Sequence, residues 1–174
     1  MAKKNNLVGQ ILGFVPLVFA LILFFMMFAD GAVVRDSDGA IQSTLAGTKL
    51  AFGQSQTTLG IETRYNANVL LMLSFLLPLI VALTAMILHL VGQQKVAFWF
   101  DIALLVLFLL AIIGMFTAVS VSSASVVAGG TTTTQTLKDG GWTLGAGTIT
   151  GGIFAVLGFL ATGVNTVLPL VLKK

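Results

Sequence analysis

Four apolar runs, at about 7–29, 69–91, 96–119 and 148–172, are each long enough to cross the roughly 30 Å hydrocarbon core of a bilayer as a helix, which takes about 20 residues. No fully charged side chain interrupts them except Asp101, near one end of the third run. Pro16 and Pro78 lie inside runs, where neighbouring membrane helices can satisfy the carbonyls a proline frees, so kinks are expected there and not breaks. Only Gly92, Gln93, Gln94 and Lys95 separate the second run from the third, which predicts a tight antiparallel helical hairpin. The other two connections, about 30–68 and 120–147, are long, and with four crossings they share one side.

Polar and β-branched positions in those long loops are patterned. Ala32 to Arg35 and Ala40 to Ser43 flank Asp36, Ser37, Asp38 and Gly39, and Asp-Gly favours the left-handed geometry of a short hairpin turn. Thr48 to Phe52, bounded by Gly47 and Gly53, reads as a further extended stretch. In the second loop, Ser125 to Val127 and Thr131 to Thr134 surround Gly129 and Gly130, again strand, glycine turn, strand. Because an isolated hairpin is only marginally stable, the two loops are expected to combine in one small antiparallel sheet. The fold class expected is therefore an α-helical membrane protein, a single four-helix domain over 1–174 carrying an extracellular sheet.

Composition agrees with lipid as the main solvent: 57% of residues are hydrophobic and 9% charged, against roughly a quarter charged in soluble domains. Mean hydropathy is +1.04. The net charge of +3 does not form a nucleic-acid patch, because the lysines pair at the two ends of the chain. Lys3, Lys4, Lys95, Lys173 and Lys174 lie on short segments of one side, whereas Arg35, Lys49, Arg64 and Lys138 are spread through the long loops, so the termini are placed in the cytoplasm and the loops outside a plasma or cytoplasmic membrane. Lys3 and Lys4 before an apolar run also resemble a secretory leader, but the run is long enough to span and is read as a retained first helix. Tyr65, Trp99 and Trp142 fall where an aromatic belt would sit.

In the fourth run Gly147, Gly151, Ala155, Gly158 and Thr162 recur at spacings of four, four, three and four, lining one helix face with small residues. Gly9 and Gly13 make a second pair in the first run. These seven positions are expected to pack helix against helix, the fourth against the first, with self-association as the competing use. His89 and Asp101 flank the short hairpin and could pair across the second and third helices, as an inner-face polar pair with a structural or a proton-handling role. Gln10 and Asn165 are further polar groups in apolar surroundings, expected to hydrogen-bond between helices. With no cysteine and one histidine, no metal-ligand cluster, thiolate nucleophile or cofactor site is expected, and the glycine runs lack the Lys-Ser/Thr of a phosphate loop. Enzymatic activity is not expected.

The arrangement of four helices, a longer first and shorter second outer loop, a short inner hairpin and outer strands resembles the claudin-type tetraspan architecture. The likeness is one of topology: the Trp and paired-Cys signature of that family has no counterpart in residues 30–68, so no family residue role is carried over. The expected function is structural, an accessory or self-associating membrane component whose outer sheet, with Leu50, Phe52 and Trp142 as candidate contacts, meets another membrane protein or another copy in the lipid. An oligomeric small channel or transporter is the alternative.

Overall fold

A computed structural model describes the backbone of residues 2–172 and the side chains of residues 13–167. In chain order the elements are α1 (Ala2–Phe25), a 3-10 turn (Met26–Phe28), β1 (Asp30–Arg35), β2 (Ile41–Ala46), α2 (Gly47–Phe52), β3 (Gln54–Thr58) and β4 (Ile61–Tyr65). There follow α3 (Val69–Leu90), α4 (Gln94–Phe116), α5 (Ala118–Val121), β5 (Ser123–Ala128), β6 (Thr131–Thr136), β7 (Thr143–Leu144) and α6 (Ala146–Leu172). The protein is mostly helical, and α3, α4 and α6, the last over Ala146–Val167, are long and apolar enough to cross a membrane. In the first helix the apolar stretch among the described side chains, Gly13–Phe28, is shorter.

The long helices close into a bundle in which α1 packs on α3 and α6, and α4 packs on the same two. Phe75, Phe108, Leu23, Leu71, Leu104 and Met115 fill its interior. The opposite helix faces are apolar too, with Ile80, Leu83, Ile87, Val106, Leu109, Ile153, Leu160 and Val164 all exposed. Helices apolar all round suit a lipid surrounding, and there apolar burial drives little association, so close packing must hold the bundle together. Pro78 is buried within α3, which continues through it, and at Gly114 an added Cβ would lie 2.5 Å from Ser74 Oγ.

The loops depart from expectation in two ways. They form two sheets where one is expected: a three-stranded sheet in the order β2-β1-β7 and a four-stranded sheet in the order β3-β4-β5-β6, each taking strands from both loops. The physical reason is the second departure. Thr48 to Phe52 is not extended but belongs to α2, whose buried Gly47, Leu50 and Ala51 follow helical spacing. A Cβ on Gly47 would meet Met27 O at 2.9 Å, so the chain turns tightly across the end of α1, and Gly53 at φ +79° stops the helix. This short helix separates β2 from β3 and splits the sheet.

The β1–β2 hairpin forms around its Asp-Gly turn, where Asp36 Oδ1 accepts from the amides of Asp38 (3.0 Å) and Ala40 (2.8 Å). The β5–β6 hairpin closes through Gly129 and Gly130, both at positive φ. Not anticipated is the β3–β4 hairpin, whose two-residue turn places Leu59 at φ 53° and Gly60 at φ 79°. Left-handed values at both positions belong to a type I′ turn, usually filled by Asn-Gly, and Leu there gives no sequence signal.

Candidate functional site

Two polar assemblies occupy opposite ends of the bundle. At the α3–α4 turn, His89 and Asp101 meet: His89 Nε2 and Asp101 Oδ2 share a hydrogen bond of 2.9 Å. Their side chains are 17% and 6% exposed. Helical side chains lean toward their own N-terminus. Because α3 and α4 are antiparallel, His89 leans into the bundle and Asp101 toward the turn, which brings groups from different depths together. Gly13 on α1 stands over the pair, its virtual Cβ 3.7 Å from His89 Cδ2.

At the other end the loops are joined by amides and hydroxyls, of which the Asn68–Ser122 pair is buried. Asn68 caps α3 by accepting from Leu71 N at 3.1 Å, and its Nδ2 donates to Ser122 Oγ at 2.9 Å. Asn66 Nδ2 donates to Ser123 Oγ at 2.9 Å, and Ser125 Oγ lies 2.8 Å from Thr134 Oγ1. Asn66, Asn68, Ser122 and Ser123 were not singled out above; an Asn directly before an apolar run is the available N-cap signal. Close to them the start of α6 is threaded against β1. Gly145 N donates to Gly31 O at 2.9 Å, and Thr148 Oγ1 donates to the same carbonyl at 2.8 Å.

The small-residue face of α6 is spent inside the chain. A Cβ on Gly147 would lie 2.8 Å from Met26 O; one on Gly151 would touch Leu23 and Met115 at 3.4 Å; one on Gly158 would fall 2.5 Å from the Phe108 ring. Ala155 and Thr162 are fully buried, and Thr162 Oγ1 donates to Gly158 O at 2.8 Å. The stripe thus faces α1 near the sheets and α4 deeper down. Gly9, Gln10 and the terminal lysines Lys3, Lys4, Lys173 and Lys174 lie outside the described side chains, while Asn165 is half-buried on α6.

Of the three candidate contact residues, Leu50 is corrected: it is 1% exposed and packs in the core, because α2 turns it inward. Phe52 is 51% exposed. Trp142 is half-buried against Tyr65, with ring centroids 6.1 Å apart and edge-on. Burial pushes the Tyr65 phenol pKa up. On the exposed part of β4, Arg64 Nε donates to Glu62 Oε1 at 2.7 Å, and the Arg64 guanidinium holds the carboxyl below its ordinary range.

The foot of the four-stranded sheet packs into the core through Tyr65 and Ala124, while its far end is open. Its outer strands β3 and β6 are exposed along nearly their whole length, and Leu59 at the tip is 99% exposed. Among the described residues no group of three or more His, Asp or Glu is placed to hold a metal. No protein-family model, curated protein or solved structure matches this chain.

Proposed function

We propose that this chain is an integral membrane protein with four crossings, α1, α3, α4 and α6, whose β-structure is a recognition module on the outer side. It serves as a structural or accessory component and not as an enzyme. The positive-inside reading supports cytoplasmic termini, with Lys95 on the same side in the short turn. The claudin-like topology supports the same placement of loops and sheets.

The observation that carries this reading is the four-stranded sheet itself. Connecting two membrane helices needs only a few residues, yet here both loops are built into a hydrogen-bonded sheet with two unpaired edges. Such a surface suits contact with another chain. Purification from native membrane in mild detergent should recover a homo-oligomer or a stoichiometric companion, lost when residues 54–65 are replaced by a Gly/Ser linker. A lone monomer in native lipid particles would overturn the reading.

A second reading, an oligomeric small channel or transporter, is favoured by the buried His89–Asp101 pair, since ionisable groups within crossings often mark pathways. Liposome flux that depends on Asp101 would place it first.

A further inference from the structure

Resting on the reading of the sheet as a recognition surface, we infer that its partner is a second copy of this chain in the same membrane, β6 of one copy pairing antiparallel with β3 of the next. Three features of the sheet lead there. The first is chemical. Native sheets protect open edges with charged residues, proline or bulges. β3 reads Gln-Ser-Gln-Thr-Thr and β6 Thr-Thr-Thr-Thr-Gln-Thr, without a charge or a proline, and both pair with their neighbours in unbroken register. In the other sheet, by contrast, β1–β2 has register shifts on both sides of its central pairs.

The second feature is direction. β3 leaves α2 and runs away from the helices, β4 returns to α3, β5 leaves again and β6 returns. Copies side by side in one membrane share their outward direction. Placing β6 of one beside β3 of another therefore continues the antiparallel alternation. Two β3 strands brought together by a two-fold axis along the membrane normal would instead be parallel, a less stable pairing.

The third is hydrogen-bond phase. Residues lie in level rows across the sheet: Gln54, Tyr65, Ala124 and Gln135; Ser55, Arg64, Ser125 and Thr134; Gln56, Thr63, Val126 and Thr133; Thr57, Glu62, Val127 and Thr132. Two-residue turns make Thr58–Ile61 and Ala128–Thr131 hydrogen-bonded pairs, so alternate rows bond inward on both outer strands. The backbone groups of Ser55 and Thr57 then point away from β4, and those of Thr134 and Thr132, in the same two rows, point away from β5. With level rows and an even number of strands, the two edges match without a shift, giving about four backbone hydrogen bonds at two per pair. Facing side chains would be Thr with Ser, Gln or Thr, and Gln with Gln, with no like charges opposed. Gln54 stands at the foot of this edge, in the row of the neighbouring copy's Gln135. Such a head-to-tail contact closes into a ring or extends as a row, and confinement to one membrane raises the effective concentration for it.

The chain has no cysteine, which gives a clean background for cross-linking the full-length protein in native membranes. Gln56 and Thr133 share a row that is not hydrogen-bonded across the contact, where side chains approach most closely. Gln56→Cys/Thr133→Cys should give an oxidant-dependent ladder of covalent dimers and larger species. Copies carrying Gln56→Cys mixed with copies carrying Thr133→Cys should stop at dimers, each single variant alone should give none, and Gln56→Cys/Thr131→Cys, out of register, should give none. Adding Thr57→Pro, which removes an outward amide and no bond within the sheet, should abolish the ladder. Cross-linking by Gln56→Cys alone, or equally by the out-of-register pair, would overturn the inference. So would a stoichiometric foreign companion without any ladder, which leaves the recognition reading standing; a monomer with neither ladder nor companion sinks both.

Discussion

His89 and Asp101 lie 2.9 Å apart across the α3–α4 hairpin, in a chain where Asp101 is 4% exposed. Removing one partner of a buried polar pair leaves the other desolvated, which costs about 1–3 kcal/mol. Asp101→Ala should therefore lower stability by about that amount, while Asp101→Asn, which can still accept from the ring, should lose less. A double-mutant cycle with His89→Ala, read by unfolding in detergent micelles, should give a coupling energy of about 1 kcal/mol or more. Additive losses would show that the contact contributes nothing.

Gly158 and Gly163 sit five residues apart on α6 in opposite situations. A Cβ at Gly158 falls 2.5 Å from the ring of Phe108, itself fully buried, whereas one at Gly163 meets only Leu105 Cδ2 at 3.9 Å. Overpacking costs about 1–3 kcal/mol, and Gly→Ala in an unobstructed helix gains up to about 1 kcal/mol. Gly158→Ala should thus destabilise the bundle and Gly163→Ala should not, as measured by the midpoint of denaturation in the same detergent. Equal behaviour of the two would refute the close α4–α6 approach.

Asn68 serves two elements at once, capping α3 and holding Ser122 Oγ. Loss of an N-cap costs about 0.5–2 kcal/mol, and Ser122, 2% exposed, would also lose a partner. Asn68→Ala should lower stability and raise cleavage by added protease at residues 123–136, while Ser122→Ala should leave the α3 cap intact and have the smaller effect. Unchanged proteolysis of Asn68→Ala would argue that the segment is held by β-pairing alone.

Leu59 holds a left-handed backbone, φ 53°, at a position 99% exposed. For an ordinary L-residue this conformation costs about 1–2 kcal/mol, and no contact offsets it. Leu59→Asn or Leu59→Gly should stabilise the β3–β4 hairpin, seen as slower amide exchange in β3 and β4. Faster exchange would mean that Leu59 packs on something in the native membrane.

Much of the helical architecture was legible in the sequence, because a long apolar helix is specified locally: a run of about 20 apolar residues is enough whatever its neighbours are. The α3–α4 turn, the hairpin at Asp38-Gly39 and the one at Gly129-Gly130 were legible for a related reason, since left-handed turn geometry selects glycine on the spot. Pairing of His89 with Asp101 could be anticipated from the short turn that separates their helices. What only the tertiary structure decided depends on distant segments. Residues 48–52 became α2 because Leu50 and Ala51 find a buried site at the end of α1, a stronger influence than their local pattern. That helix divided the β-structure of the loops in two and buried Leu50. The Leu59-Gly60 turn, the joining of Asn68 to Ser122, and the level rows that leave β3 and β6 as matching edges arise from contacts between segments more than fifty residues apart or from strain that neighbouring strands impose. Hydrophobic length and turn chemistry are properties of a few consecutive residues, whereas which strand lies beside which is set by the free energy of the whole packed arrangement.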